Sequence, residues 1–356
     1  MALALLAAQW PASPALAQAF NPARADLLAF VDEVAAKHGF EREALMSLLG
    51  QAESRPSILR AIAKPAERTL RWDEYRGKFL VERRIERGSE LYGQRRAELE
   101  RAQATTGVPV DVILGIVGVE TFFGENIGKH RVLDALATLA FDYPPRQKFF
   151  RAELEQYLVM AREEGLDPTV PVGSYAGAMG LPQFMPSSFR AYALDGDEDG
   201  RRDLWKDWAD VFLSVGNYLK VHGWRAGEPI AVPADASGAN LDGLDGKLAL
   251  SETVGSLRRR GLKFETTLPD STPAMLVPLT VAGGTEYRVG FANFYAITRY
   301  NRSVLYASAV SDLAAAIGAR RSGLVPDAAT PPLPAAIAPT PAPTSTGGWS
   351  TTTDSR

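Results

Sequence analysis

The stretch from Val110 to Gly124 joins a run of aliphatic residues to a single glutamate, Glu120, which precedes Thr-Phe-Phe. A carboxylate at the end of an apolar helix loses solvation, so its pKa rises toward the range that suits a general acid near neutral pH. The alternative is a helix-terminal glutamate that points to solvent. The aliphatic positions recur at helical spacing and predict a buried helix; they are Val112, Ile113, Ile116, Val117 and Val119.

Composition restricts the classes of protein to which the chain can belong. Its 356 residues predict about two domains, and 46% apolar with 23% charged residues is typical of a globular protein. A net charge of −3 gives no general basic field, so nucleic acid is not an expected partner. The lack of cysteine excludes disulfides, cysteine nucleophiles, Cys-ligated zinc and a lipid-modified cysteine. The three histidines, His38, His130 and His222, are far apart in sequence and do not support a triad or a His-rich metal site.

Residues 1–19 have features of an export signal. Ala2–Ala8 is a short apolar stretch, and Ala15-Leu16-Ala17 offers an A-x-A cleavage site. The positively charged start of such signals is missing, and a short N-terminal helix is the alternative. No other segment reaches the about 18 apolar residues of a membrane span. We therefore predict an exported protein without a membrane span.

Sequence patterning divides the rest of the chain into five regions. Helical periodicity predominates up to about Trp224, with a break at Thr106-Gly107-Val108-Pro109. Short alternating runs rich in Gly, Pro and Asp then predict strands and turns, before helical patterning returns. A Pro/Ala/Thr-rich end cannot bury enough apolar surface to fold. The predicted regions are N-terminal helices over 20–105, a core over 106–226, a small mixed or β domain over 227–288, a helical part over 289–320 and a disordered tail over 321–356.

A glycine-rich segment runs from Gly173 to Ser188. Three of its glycines within eight residues let the backbone approach closely either a ligand or another helix. Gln183, between small and apolar residues, can donate and accept hydrogen bonds at a sugar amide or hydroxyl. Phosphate binding is not expected, because no Lys-Ser/Thr pair follows the glycines. A tight helix-packing loop is the alternative interpretation.

An acidic loop begins at Asp195. Asp195, Asp197 and Asp199 occupy positions one, three and five of an EF-hand calcium loop, with glycine at position six. Position twelve is a lysine rather than the usual bidentate Glu, so Asp210, four residues later, is the candidate closing ligand in a longer loop. The pattern predicts calcium of modest affinity, and a solvated acidic loop is the alternative.

Polar and aromatic residues also recur near the end of the helical pattern. Tyr300, Asn301, Ser303 and Tyr306 are predicted to lie on neighbouring turns of the last helix. Such groups stack on sugars and hydrogen-bond to them. Equally, their hydroxyls can be satisfied in an ordinary packing interface.

Taken together, these segments resemble the lytic murein transglycosylase B family, enzymes that cleave the glycan strands of peptidoglycan. The resemblance implies a mainly α (α+β) fold: a lysozyme-like helical core, an additional helical region and a small β-containing domain. It extends from about Arg24 to Gly318. The matching segments keep the same order and are Gly118-Val-Glu120-Thr, Leu133–Leu139, Gly177–Gly180, Gln183–Ser188, Asp199-Gly200, Leu204-Trp205, Asn217-Tyr218 and Thr298–Asn301.

The resemblance also implies roles for individual residues. Glu120 matches the family's single catalytic carboxylate. The positions that match its glycan cleft are Tyr75, Ser174, Gln183, Tyr218, Tyr300, Asn301 and Tyr306. The positions that match its calcium loop are Asp195, Asp197, Asp199 and Asp210, with the backbone carbonyl of Arg201.

A single carboxylate implies chemistry different from that of ordinary glycosidases, which use a pair. We expect Glu120 to protonate the oxygen that leaves N-acetylmuramic acid and then to deprotonate the muramyl O6 hydroxyl, which closes a 1,6-anhydro ring without water. No catalytic cofactor is expected, and Ca²⁺ would be structural. The alternatives are a hydrolytic muramidase, which a second carboxylate near Glu120 would favour, and a non-catalytic peptidoglycan-binding protein. Peptidoglycan is the expected partner of a soluble, periplasmic monomer that has neither a membrane span nor a lipid anchor.

Overall fold

A computed structural model describes residues 17–63, 70–244 and 248–323. Most of the predicted export signal and nearly all of the predicted disordered tail therefore lie outside the described residues. The described residues form α-helices and short strands. The helices are α1 Ala25–His38, α2 Arg42–Leu49, α3 Pro56–Ala63, α4 Trp72–Phe79, α5 Glu82–Gln94, α6 Arg96–Thr106, α7 Val110–Thr121, α8 Val132–Asp142, α9 Gln147–Glu163, α10 Pro186–Tyr192, α11 Trp208–Val221, α12 Val254–Arg259, α13 Ala292–Tyr300 and α14 Val304–Arg321.

The described strands form one four-stranded antiparallel sheet and two short pairs. In the sheet, the order is β5-β8-β7-β6. The pairs are β1 with β2 and β3 with β4, both antiparallel. The strands are β1 Gln18–Ala19, β2 Glu53–Ser54, β3 His130–Arg131, β4 Val172–Gly173, β5 Ala231–Ala234, β6 Glu252–Thr253, β7 Pro273–Val281 and β8 Gly284–Gly290.

Strand β7 lies between two hydrophobic cores. Because side chains alternate along a strand, Met275 and Val277 face the large helical core, whereas Ala274 and Leu276 face a smaller core beneath the sheet. Helix α12 closes the smaller core with Val254 and Leu257. Strand β7 is thus buried on both faces, and the sheet packs against the helices.

Close contact between α7 and α14 fixes the helix that carries Glu120. A side chain at Gly115 would place its Cβ 2.9 Å from the carbonyl oxygen of Val310, and one at Gly118 would meet Leu313 at 3.0 Å. Glycine at these positions lets the two backbones approach each other. The prediction of a buried helix over this stretch is confirmed, since ten of the twelve α7 residues are buried.

The segment around Asn301 differs from its prediction as part of one helix. Helix α13 ends at Tyr300, Asn301 is extended with φ −143° and ψ 123°, and α14 starts at Val304. The Ser303 side chain accepts a hydrogen bond from the Tyr306 amide, which caps the new helix. The prediction was wrong because helical spacing continues across the break, while the capping serine starts a second helix with its own direction.

No single helix in the described part of the chain is both long and apolar enough to cross a membrane. The pair α6 and α7 passes that test only when taken together, and it bends by 110° between its members.

Candidate active site

Glu120 is the penultimate residue of α7 and is half-buried. The hydroxyl of Tyr306, on α14, donates a hydrogen bond to its Oε1 at 2.5 Å. The surrounding protein removes water from the carboxyl group and raises its pKa to about 7, although the Tyr306 hydrogen bond lowers it in part. Glu120 is therefore protonated in a large share of molecules near neutral pH, as a general acid requires.

A cavity of ≈ 220 Å³ opens beside Glu120. It brings together five of the predicted site residues and adds four others. Glu120 is the only acidic residue that lines it within the described part of the chain. The nine lining residues are Glu120, Ala178, Gln183, Phe184, Met185, Ser188, Tyr218, Tyr300 and Asn301.

Three tyrosines form an aromatic wall, and two of them, Tyr218 and Tyr300, line the cavity. The ring of Tyr300 lies 4.7 Å from that of Tyr218 and is stacked with that of Tyr306 at 6.4 Å, centroid to centroid. The Tyr218 hydroxyl donates to the carbonyl of Arg299 and the Tyr300 hydroxyl to that of Pro182, both at 2.7 Å. Since these hydroxyls already donate to the backbone, Tyr218 and Tyr300 contribute chiefly their rings to the cavity, and one face of the Tyr218 ring is stacked on His222.

Glycines in the segment from Gly173 to Ser188 serve close packing within the protein. A Cβ at Gly177 would lie 2.4 Å from the Leu136 side chain, and one at Gly180 would lie 2.4 Å from the Leu204 carbonyl oxygen. Both glycines have positive φ, 84° and 66°. Of the two predicted interpretations, packing against a neighbouring segment explains these glycines.

Gln183 and Ser174 occupy different places in this segment. Gln183 lines the cavity in a left-handed conformation, with φ 53°, and its amide nitrogen donates to the carbonyls of Ile127 and Gly180. Its amide oxygen accepts no hydrogen bond from another described residue, so it can accept one from a ligand. The Ser174 hydroxyl accepts from the amides of Ala176 and Ala178 and shapes the turn beside the cavity.

Tyr75 lies on the other side of Glu120, on α4. Burial, and to a lesser extent the charge of Glu120, raises the pKa of the Tyr75 hydroxyl. Tyr75, Ser174 and Tyr306 do not line the cavity itself. Tyr306 is linked to it by its hydrogen bond to Glu120.

The site also contains residues that were not assigned a role from the sequence. Phe184, Met185 and Ser188 line the cavity next to Gln183. They belong to the Gln183–Ser188 segment, which is one of the segments that resemble the family. Their closeness to Gln183 in the sequence could therefore have indicated that they line the site. Their positions in the cavity depend on the start of α10 at Pro186. The spacing of apolar residues in the sequence did not predict where this helix starts.

The acidic loop brings together three of its predicted ligands. Carboxylate oxygens of Asp195, Asp197 and Asp210 lie within 4.8 Å of one another, whereas Asp199 is outside this group. Asp210 is buried in the first turn of α11, and burial raises its pKa to about 6. A hard cation such as Ca²⁺ prefers carboxylate oxygens and would offset this desolvation. The residues therefore fit a calcium ion.

Comparison with known proteins places the chain in a family. The sequence family described as Transglycosylase SLT domain matches residues 23–315. Membrane-bound lytic murein transglycosylase B of Escherichia coli (strain K12) is 42% identical over 302 residues, which are 82% of each chain.

Solved structures agree with this assignment. A catenated form of the lytic transglycosylase SltB1 from Pseudomonas aeruginosa has 45% identity and a TM-score of 0.80, covering 84% of this chain and 99% of that one. Escherichia coli Slt35 in complex with calcium has 40% identity and a TM-score of 0.78, covering 86% and 97%. These matches confirm the mainly α fold with a lysozyme-like core, and one of these neighbours binds calcium. The chain belongs to the transglycosylase SLT domain family and is a lytic transglycosylase that cleaves peptidoglycan.

Proposed function

We propose that Glu120 alone supplies the acid and the base that cleave the β-1,4 bond between N-acetylmuramic acid and N-acetylglucosamine. The observation that carries this proposal is that Glu120 is the only acidic residue lining the cavity within the described residues. Its pKa of about 7 allows it to start the reaction protonated and to finish its first step as a carboxylate. Paired-carboxylate glycosidases divide these roles between two residues.

The proposed reaction returns Glu120 to its starting state. Glu120 gives its proton to the glycosidic oxygen as the bond to C1 breaks, and the sugar's own N-acetyl group stabilises the developing positive charge. The muramyl O6 oxygen then bonds to C1 and loses its proton to Glu120. The Tyr306 hydroxyl, which donates to Oε1, stabilises the carboxylate between the two steps. No water is consumed, so the product ends in a 1,6-anhydro ring.

The remaining cavity residues are proposed to hold the glycan. The ring faces of Tyr218 and Tyr300 stack on sugars, and the amide oxygen of Gln183 accepts from a sugar hydroxyl or N-acetyl amide. Asn301, exposed after α13, adds a polar contact at the rim. Tyr75 contacts the glycan from the α4 side, and the Ser174 hydroxyl proton remains available for a further hydrogen bond.

The product test compares the wild-type protein with Glu120→Gln on purified peptidoglycan sacculi. Mass spectrometry should find muropeptides that are one water lighter than hydrolysis products, and Glu120→Gln should release at least about 10²-fold less. Reducing-end products instead would identify a hydrolytic muramidase. Binding of sacculi without any soluble product from the wild-type protein would indicate a binding protein.

We further propose that Asp195, Asp197 and Asp210 bind a structural Ca²⁺, with Asp199 and the Arg201 carbonyl as additional ligands. A cation that binds only the folded state stabilises it. Adding Ca²⁺ to chelator-treated protein should raise the melting temperature, and Asp197→Asn should remove this increase. Asp167→Asn, in another exposed loop, is the matched control and should keep it. An unchanged melting temperature of the wild-type protein with Ca²⁺ would contradict the proposal.

The features of an export signal in residues 1–19 and the peptidoglycan substrate support a place in the periplasm, where we propose that the protein acts as a monomer. Cell fractionation tests the location, and light scattering of the purified protein tests the oligomeric state. Recovery in the cytoplasmic fraction, or a mass of twice that of the chain, would contradict these two proposals.

A further inference from the structure

A row of neighbouring side chains on the α4 side of the site consists of Tyr75, Phe79, Arg84 and Phe122. The ring of Tyr75 lies 5.0 Å from that of Phe79, and burial, together with the charge of Glu120, raises the pKa of the Tyr75 hydroxyl. The guanidinium of Arg84 stands 5.2 Å from the Phe79 ring and 4.5 Å from the Phe122 ring. Phe122 follows Glu120 by two residues and takes a left-handed conformation, with φ 53°. The row therefore connects the catalytic carboxyl group to Arg84.

Arg84 is a half-buried cation without a carboxylate partner in the described residues. Its Nη1 donates to the carbonyl of Lys78 at 2.6 Å, but its Nε is buried and has no hydrogen-bond partner. Burial lowers the pKa of its guanidinium, and Glu125 opposes this only in part. Glu125 itself is paired with the neighbouring Arg83, at 2.8 Å and 2.9 Å.

An unpaired guanidinium in this setting is suited to an anionic ligand. Buried charges in proteins are normally paired, because removing them from water is otherwise costly. The planar guanidinium matches a carboxylate, and it lies within cation–π distance of both the Phe79 and the Phe122 rings. Peptidoglycan supplies such groups: its stem peptides carry free carboxylates, and a muramyl residue without its peptide exposes the lactyl carboxylate.

We propose that Arg84 forms a binding site for a carboxylate of the peptidoglycan substrate, at the end of the Tyr75, Phe79 and Phe122 row. The site rests on the proposed placement of the glycan at Glu120. This site would favour glycan strands that carry a carboxylate on the lactyl group or the stem peptide. Its effect would add to the sugar contacts made in the cavity.

The test measures binding rather than turnover, so that it does not depend on the proposed chemistry. All variants carry Glu120→Gln, and their Kd values are measured for soluble glycan strands bearing stem peptides. The same strands with their carboxylates converted to amides provide the uncharged comparison. Amidation should weaken binding to the Arg84-containing protein by about tenfold or more, the usual effect of a hydrogen bond to a charged group.

Variants of Arg84 then assign the effect to this side chain. Arg84→Gln should bind native strands about tenfold or more weakly and should no longer distinguish them from amidated strands. Arg84→Lys, which keeps the charge, should retain part of the discrimination. Arg95→Gln is the matched control, because it removes an exposed charge that is paired with Glu98 at the far end of α5, and it should leave the discrimination intact.

The outcomes separate this inference from the proposed function. Full discrimination in Arg84→Gln, or equal weakening of native and amidated strands by that variant, would overturn the Arg84 site. Strands stripped of their stems identify the carboxylate: continued Arg84-dependent binding indicates the lactyl group, and its loss indicates the stem peptide. If wild-type protein releases no anhydro product but the discrimination holds, the proposed chemistry fails while the Arg84 site stands.

Discussion

The pKa of Glu120 reflects two opposing effects, burial and a hydrogen bond. Removal of water raises this pKa to about 7, while the hydrogen bond from Tyr306 favours the charged form and lowers it. The carboxyl group is thus balanced between the acid and base forms that the proposed reaction needs. Both forms are accessible near neutral pH because the resulting pKa is about 7.

The pH dependence of kcat/KM should report this balance. Because the proposed reaction starts from protonated Glu120, kcat/KM should fall as pH rises through about 7. Tyr306→Phe removes the hydrogen bond that lowers the pKa, so the descending limb should move to higher pH. The measurement is kcat/KM on soluble strands over roughly pH 5 to 9, a range that brackets this pKa. Tyr300→Phe, whose hydroxyl contacts Pro182, should leave the midpoint in place; a downward shift in Tyr306→Phe would refute the assignment.

The raised pKa also predicts how stability depends on pH. Glu120 binds its proton more tightly in the folded state than in the unfolded state, so its contribution is fully present below pH about 4.5 and is lost as pH rises through about 7. Glu120→Gln cannot titrate and keeps a hydrogen-bond acceptor for Tyr306. Relative to the wild-type protein, its free energy of unfolding should therefore increase by roughly 1–3 kcal/mol between pH about 4 and about 8. Urea denaturation at both pH values measures it, and a constant difference would contradict the pKa.

Helix α10 is attached to α9 by a buried carboxylate. Glu153, 5% exposed, accepts hydrogen bonds from the amide of Ser187 at 2.9 Å and from its hydroxyl at 2.7 Å. Met185 and Ser188, on either side of this anchor, line the cavity. The anchor therefore links the interior of the protein to one wall of the site.

Removing this anchor should disturb stability and substrate binding together. Glu153→Ala leaves two partly buried donors of Ser187 without a partner, and we expect the free energy of unfolding to fall by about 1–3 kcal/mol. KM should rise more than kcat falls, because the chemistry stays at Glu120. Glu163→Ala, which breaks an exposed pair with Arg190 between the same helices, is the control and should cost less than about 1 kcal/mol. Equal effects of the two variants would show that Glu153 has no special positioning role.

Helices and strands with a clear periodicity of apolar residues were predictable from the sequence. Features that depend on contacts between residues far apart in the sequence were not. The helical spacing of aliphatic residues in α7 and the alternation along β7 are local patterns, because they place apolar side chains on the faces that become buried. The break at Asn301 depends on a capping serine inside a continuing helical pattern, so periodicity did not show it. The same holds for the pairing of Tyr306 with Glu120: the family resemblance placed both in the site, but their hydrogen bond depends on how α14 packs on α7.

Three regions of the molecule meet at Asp312 on α14. Its carboxylate accepts from Arg288 of β8 at 2.6 Å and 3.0 Å and from Arg76 of α4 at 3.3 Å. Arg288 also stands over the buried ring of Trp72, 5.3 Å from its centroid. Asp312 therefore joins the β-containing domain, the N-terminal helices and the helix that carries Tyr306.

Loss of this junction should weaken the whole fold. Asp312→Ala leaves the partly buried Arg288 without its carboxylate, and we expect the free energy of unfolding to fall by about 1–3 kcal/mol. Urea denaturation measures the change. Asp32→Ala, which breaks an exposed pair with Arg42, is the control and should cost less than about 1 kcal/mol. If the two variants unfold at the same urea concentration, the junction does not hold the regions together.

The hydrogen bond between Tyr306 and Glu120 spans 186 positions of sequence. A chain still being synthesised therefore has Glu120 long before it has the tyrosine that donates to its carboxyl group. The aromatic wall, too, is incomplete until α13 and α14 have docked. The complete site thus requires the C-terminal helices to be synthesised and packed against α7.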